Sequence, residues 1–104
     1  MKNTYNTILL NPIDNIVVAL QNIEINDIVA NSHMKNTIKA ISTIPYGHKI
    51  AIRAIKAGEK IMKYGECMGI ATKDIQIGEH VHVQNVRGLN ETERLTIINT
   101  LSSV

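Results

Sequence analysis

Aliphatic and polar residues alternate along much of the chain, which is the pattern of β-strands with one buried face. The alternation is clearest in HKIAIRA (48–54), EKIMKYG (59–65) and HVHVQNV (80–86). These stretches are short and are separated by glycine, proline and asparagine. The pattern therefore predicts a small, mostly β domain of short strands and tight turns.

An internal repeat supports this prediction. Three segments align without gaps: ALQNIEINDIV (19–29), AIRAIKAGEKI (51–61) and ATKDIQIGEHV (71–81). Each begins with Ala, has Ile at its fifth place and carries a turn pair that begins three residues later. The pairs are Asn26-Asp27, Gly58-Glu59 and Gly78-Glu79. Because Gly and Asn adopt positive φ most readily, each segment predicts an arm, a tight turn and a second strand.

The end of the chain has a different period. Asn90 and Glu93 form an N-x-x-E start that resembles a capping box, and Leu95, Ile98 and Leu101 recur every three residues. This spacing predicts a helix from about residue 91 to 101. The predicted division is a β domain over 1–88 and a helical tail over 89–104, with the apolar helix face packed on the domain or on another chain.

Composition narrows the classes of function. The chain of 104 residues suits one domain, and without Phe or Trp its core must be aliphatic. The net charge of +2 is spread out, with neither the basic patch nor the stacking aromatics of nucleic-acid binders. Cys67 is the only cysteine, which fits a reducing cytosol, and we find no signal peptide or membrane span. We therefore expect a cytoplasmic protein that binds neither nucleic acid nor membranes.

Two histidines in GEHVHVQN (78–85) are the first candidates for chemistry. On a strand, His80 and His82 share one face, and Val81 and Val83 face the core. Imidazoles ligate metals, bind anions when protonated and transfer protons near neutral pH. Two ligands alone do not make a zinc site, so two exposed histidines on a solvent face remain the alternative.

A second polar cluster follows the bend of Pro45 and Gly47. His48 and Lys49 come directly after it, where Gly lets the backbone approach a ligand and Lys supplies charge for a carboxylate or phosphate. An ordinary turn with an exposed lysine is the alternative. Glu79 occupies the same turn place as Glu59, which has no adjacent histidine, and this repetition favours a structural role for both glutamates.

The polar motifs, taken in order, resemble a known family. Gly-His-Lys, Tyr-Gly-Glu and Gly-Glu-His-x-His-x-x-Asn within residues 44–86 resemble the SAF-type domain of altronate and galactarate dehydratases. That domain also occurs as the small subunit of sulfolactate sulfo-lyase. NPIDNIVVALQNI (11–23) is similar to the opening segment of the family, with Asp14 and Asn15 matched. The resemblance implies a β-clip fold.

The resemblance also implies a chemistry. Family enzymes eliminate water or sulfite from a sugar acid or 2-hydroxy acid, with divalent iron and a much larger domain or subunit. Carried over by position, the catalytic residues are His48, His80 and His82, and the substrate-binding residues are Lys49, Glu79 and Asn85, with His80 and His82 as metal candidates. Family members often have a third histidine where this chain has Gln84, which favours substrate clamping over full metal ligation.

Three functions therefore follow from the sequence. The first is the small subunit or SAF domain of a dehydratase or sulfo-lyase, completed by a large catalytic subunit. The second, motivated by Gln84, is a stand-alone module that binds carbohydrates or sugar acids without catalysis. The third is a purely structural or oligomerisation role. Separately, a small aliphatic domain with an amphipathic tail is expected to self-associate or to bind a large partner.

Overall fold

The computed structural model describes residues 5–31, 33 and 37–102, with the side chains of the final helix described up to residue 97. Within these residues the chain forms short strands followed by one helix, which confirms the predicted mostly β fold. The strands are β1 Thr7–Ile8, β2 Ile16–Ala19, β3 Ile28–Val29, β4 Ile38–Lys39, β5 Lys49–Ala51, β6 Lys60–Lys63, β7 Glu66–Ala71, β8 His80–Val81 and β9 Val86–Arg87. The helix, α1, spans Glu91–Ser102.

The strands of the described residues form three antiparallel sheets. Their orders are β1-β2-β5-β8, β3-β4 and β6-β7-β9. The four-stranded sheet lies between two aliphatic clusters because neighbouring residues on its strands point to opposite faces. Ile16 and Ala51 belong to one cluster, whereas Val17 and Ile50 belong to the other. The predicted aliphatic core is confirmed.

The three predicted turns are confirmed, and the structure contains a fourth. Asn26, Gly58 and Gly78 have φ values of 75°, 90° and 88°, in the left-handed region. Gly47 has a φ of 82° at the same place in AISTIPYGHKI (40–50), which also starts with Ala and has Ile fifth. Pro45 and Gly47 were predicted only as a bend, so this copy was missed, although its spacing is visible in the sequence.

The four copies of this motif interlock as two pairs. Ile23 bridges Ile44, and Ile55 bridges Ile75. In each pair the N–H of the positive-φ residue donates to the carbonyl of the first Ala of the other copy. These bonds are Asn26 N to Ala40 O, Gly47 N to Ala19 O, Gly58 N to Ala71 O and Gly78 N to Ala51 O, each 2.8 Å. The first copy therefore pairs with 40–50, and the second and third predicted copies pair with each other.

Asp14 and Asn15 hold the hairpin of β6 and β7. The fully buried Asp14 carboxylate accepts hydrogen bonds from Tyr64 N at 3.0 Å and Gly65 N at 2.8 Å. Asn15 accepts from Met62 N and donates to Lys60 O, both at 2.8 Å. These two side chains therefore satisfy backbone groups some fifty positions away in the chain, a role that no local pattern indicates.

Helix α1 begins with the predicted capping box. Asn90 Oδ1 accepts from Glu93 N at 2.8 Å, and Glu93 Oε1 accepts from Asn90 N at 2.9 Å. Arg87 on β9 donates to both Glu93 oxygens, at 2.8 and 2.9 Å. Leu95 is 51% exposed, and the Ile98 and Leu101 side chains lie outside the described residues. The packing of the apolar face, like the division at residue 88, stays a prediction.

The contacts of Glu93 at the start of α1 should weaken at low pH. The hydrogen bonds of Arg87, followed by that of the Asn90 backbone, lower the pKa of Glu93 to about 2 from an ordinary 4.5. Because the pKa of Glu93 is lower in the folded chain than in the unfolded chain, its ionised carboxylate stabilises the fold. This stabilisation is complete above about pH 4.5 and is lost as pH falls towards 2.

Carboxyl chemical shifts should therefore give Glu93 a titration midpoint near 2, and Arg87→Gln should raise it by removing the largest cause. A midpoint that is the same in both proteins would contradict the bidentate contact.

Within the described residues, no helix combines the length and apolarity needed to cross a membrane.

Candidate functional site: a histidine cluster beside an open cavity

The fourth copy of the repeated turn has a histidine, His48, where the other three copies have a carboxylate. In the other three copies a carboxylate follows the positive-φ residue and accepts an N–H three residues earlier in the chain. These bonds are Glu24 N to Asp27 Oδ2, Lys56 N to Glu59 Oε1 and Gln76 N to Glu79 Oε1, at 2.9, 2.6 and 2.9 Å. In the fourth copy Pro45 takes the donor place and has no N–H. The turn needs no carboxylate there, so His48 can serve another purpose.

A buried amide shapes the segment that carries the other two histidines. Asn85 is fully buried, accepts from His82 N at 2.9 Å and donates to His80 O at 2.8 Å. These bonds close a turn over 82–85, so β8 ends at Val81 instead of continuing through His82. The prediction that Val83 faces the core is wrong, because the turn leaves Val83 81% exposed.

The three predicted catalytic histidines form one cluster. Antiparallel pairing of β5 with β8 places Ile50 opposite His80, which brings His48 next to a residue 32 positions away. His48 Nδ1 lies 2.9 Å from His80 Nε2. The His48 ring is stacked on that of His82, with centroids 4.2 Å apart, and the His80 centroid lies 5.1 and 5.4 Å from those of His48 and His82. All three side chains are half-buried.

Burial and nearby charges favour the neutral form of His80, and one of those charges is the Lys49 ammonium. Burial, then the charges of His48, His82 and Lys49, lower the pKa of His80. Burial, then the charge of Lys63, lowers the pKa of Lys49. Both shifts have the same physical cause, since a charged form loses hydration when it is partly buried. In the described part of the chain, no carboxylate joins the histidine group.

An open cavity of about 260 Å³ lies beside His82. Lys49, His82 and Arg87 supply its polar wall. The other lining residues are apolar or glycine: Ile61, Met68, Val81, Val83, Val86 and Gly88. The Arg87 guanidinium donates to Glu93, whereas the Lys49 ammonium has no hydrogen bond or ion pair within the described residues. Lys49 is therefore the cation that the cavity offers to an anion.

The predicted substrate-binding residues Glu79 and Asn85 support the turn beneath the histidines. Glu79 accepts the Gln76 N–H through one oxygen and the Asn85 amide, at 3.3 Å, through the other. Neither residue lines the cavity beside His82. A direct contact of either residue with a substrate stays a prediction.

The donor set of the cluster fits a divalent transition metal. One nitrogen from each of His48, His80 and His82 lies within 4.8 Å of the others. Two imidazole ligands of one metal, at about 2.1 Å and at a right angle, have nitrogens about 3.0 Å apart. The His48–His80 separation of 2.9 Å is close to this value, and while no metal is bound it is a hydrogen-bond distance. Only His80 and His82 were predicted from the sequence as metal candidates, because no local pattern places His48 beside them.

Fold and site together define a small antiparallel β domain that presents an imidazole cluster at the edge of an open cavity. Residues 5–89 match the family model of the altronate/galactarate dehydratase SAF domain. The chain belongs to this family.

Two types of characterised protein are similar to the chain. It is 39% identical over 74 residues to altronate dehydratase of Bacillus subtilis (strain 168), covering 71% of the chain and 14% of that protein. Altronate dehydratase of Escherichia coli (strain K12) is 34% identical over 80 residues, 77% of the chain and 16% of that protein. (2R)-Sulfolactate sulfo-lyase subunit alpha of Paracoccus pantotrophus is 44% identical over 57 residues, 55% of the chain and 82% of that protein. The match thus spans a small part of the dehydratases and most of the sulfo-lyase subunit.

Proposed function

We propose that this chain is the small subunit or SAF domain of a lyase that eliminates water or sulfite from a sugar acid or 2-hydroxy acid. In this proposal its histidine cluster completes an active site with a large, dehydratase-like subunit. The observation that carries it is the convergence of His48, His80 and His82 beside a cavity that offers Lys49. Family membership and the names of the relatives, dehydratases and a sulfo-lyase subunit, support this class of reaction.

Elimination next to a carboxylate requires three things of an active site. A base takes the proton, an acid assists the leaving group, and positive charge stabilises the enolate-like dianion. A neutral imidazole suits the first task near neutral pH, and an imidazolium or a bound metal suits the second. Lys49 suits the third, because a half-buried ammonium beside apolar residues is less screened by water than one on the surface. A bound substrate carboxylate would also restore the pKa of Lys49 towards its ordinary value.

Divalent iron is the cofactor that we propose for the assembled enzyme, and His48, His80 and His82 are the residues of this chain that would hold it. When bound, such an ion would supply Lewis-acid stabilisation of the developing negative charge. Imidazole is a suitable ligand for iron, but iron sites in proteins usually have further ligands. Those ligands would come from the large subunit.

The exposure of the cavity supports the proposal of a partner. Val83 is 81% and Met68 48% exposed where they line it, so both would gain from being covered. Within the described residues, the cluster contains three imidazoles and no carboxylate, so any further ligands of an iron site would come from a partner. A large subunit that covers Val83 and Met68 would exclude water from the histidines and supply the missing groups.

Reconstitution tests this proposal. The chain should form a complex with a large dehydratase-like subunit from the same organism, and only the mixture should eliminate water or sulfite from sugar acids or sulfolactate under reducing, iron-replete conditions. Val83→Asp should prevent assembly by placing a charge in the covered surface, whereas Ile25→Asp, at an exposed residue outside the cavity, should not. Absence of both complex and activity would refute the proposal.

One observation favours a second function, that of a stand-alone sugar-acid binding module. Gln84 stands where family members often have a histidine, and its amide contacts His80 instead of adding a ligand. Calorimetry with the isolated chain separates the two functions. Binding of sugar acids by the isolated chain, with no turnover after reconstitution, would favour the module.

A further inference from the structure

The Gln84 amide has an orientation that its contacts determine. Its Nε2 lies 3.3 Å from the His80 carbonyl oxygen and 3.3 Å from His80 Nδ1. A carbonyl oxygen only accepts hydrogen bonds, so the amide group that faces it must be the NH₂ and not the oxygen. The second hydrogen of that NH₂ then points to His80 Nδ1. A ring nitrogen that accepts a hydrogen bond carries no proton, so neutral His80 has its proton on Nε2.

This proton arrangement extends to His48. His80 Nε2 and His48 Nδ1 are 2.9 Å apart, so one of them donates to the other. With the proton of His80 on Nε2, His80 is the donor and His48 Nδ1 the acceptor. The proton of neutral His48 therefore lies on Nε2, and Gln84, His80 and His48 form one directed chain of hydrogen bonds.

We propose that Gln84 is a positioning residue that fixes the proton order of His80 and His48. As a result His48 presents an N–H donor while no metal is bound, and ligation of iron by His80 Nε2 would require the proton on that nitrogen to leave. No hydrogen bond to the His82 ring occurs within the described residues, and this ring lines the cavity with Lys49. Any use of the His48 donor in catalysis rests on the proposed function. The proton order itself rests only on the contacts within this chain.

Nitrogen NMR of the isolated, ¹⁵N-labelled chain tests the proton order directly. The spectra are recorded at about pH 8.5, two units above the ordinary histidine pKa. His80 and His48 should both be protonated on Nε2, and a scalar coupling across the hydrogen bond should connect His80 Nε2 with His48 Nδ1. A proton on Nδ1 of either ring would overturn the proposal.

Two substitutions of the exposed Gln84 sharpen the test. In Gln84→Glu the carboxylate can only accept, so the order should reverse and both rings should carry their proton on Nδ1. In Gln84→Met no group contacts Nδ1, and His80 should become a mixture of the two forms. The exposed His33 should be unchanged throughout. The same proton order in Gln84→Glu as in the wild type would refute the role of Gln84, whatever the outcome of reconstitution.

Discussion

Replacing His82 with alanine should lower turnover of the reconstituted enzyme by roughly 10²- to 10⁴-fold, the usual contribution of a general acid or base. The chain itself should lose less than about 1 kcal/mol of unfolding free energy, since a half-buried side chain without a structural hydrogen bond contributes little to stability. The bond from His82 N to Asn85 belongs to the backbone and survives the change. Initial rates of the complex and urea denaturation of the isolated chain measure the two effects.

The matched control for this substitution is His33→Ala, because His33 is exposed and lies outside the cluster. It should leave both turnover and stability unchanged. Two results would contradict the role of His82. One is unchanged turnover in a complex that still assembles. The other is a loss of stability large enough to explain the loss of activity through unfolding.

Local signals in the sequence account for most of the fold. Asn26, Gly58 and Gly78 were recognisable as turn residues because positive φ restricts the choice of residue so strongly. The capping box of Asn90 and Glu93 was readable for a similar reason, since both partners lie within one helical turn. Such features depend on neighbours in the chain, which a single sequence shows.

Features that depend on distant contacts were missed or only partly predicted. Asp14 was matched only through the family resemblance, and nothing near it in the sequence shows that its buried carboxylate satisfies the backbone of a hairpin fifty positions later. Alternation placed Val83 in the core, because the period continues through it. The hydrogen bonds of the Asn85 side chain end the strand before Val83, and the alternation of residue types does not show these bonds.

The site shows the same division between local and distant information. The candidates His48, His80 and His82 were named from motifs and family resemblance, and the structure brings them together. The reason His48 is available came only from comparing the four turns, in which Pro45 removes the N–H that the carboxylates accept elsewhere. The contact of Gln84 with the His80 ring depends on the turn over 82–85, which the sequence did not predict.

Gly78→Ala should destabilise the chain by more than roughly 2 kcal/mol, and Gly58→Ala by only about 1 kcal/mol. Both glycines occupy the same place in the repeated turn, with φ values of 88° and 90°, so both substitutions incur the left-handed penalty of an L side chain. At Gly58 a new Cβ meets nothing within 4 Å, whereas at Gly78 it would lie 2.1 Å from Lys39 O. Relieving that overlap requires a backbone shift, which adds about 1–3 kcal/mol.

The shift at Gly78 should also reach the histidines. Gly78 O accepts the Ile41 N–H at 2.9 Å. Ser42, which follows Ile41 in the chain, accepts the His80 N–H through Oγ at 3.3 Å. Urea denaturation of the two variants gives the difference in unfolding free energy, and amide shifts report whether His80 moves in Gly78→Ala alone. Because the two glycines share their φ, that difference measures the contact with Lys39 alone. Equal losses in the two variants would mean that the chain accommodates the Cβ at 78 without displacing Lys39, and the contact between the two pairs of turns would then be looser than the structure shows.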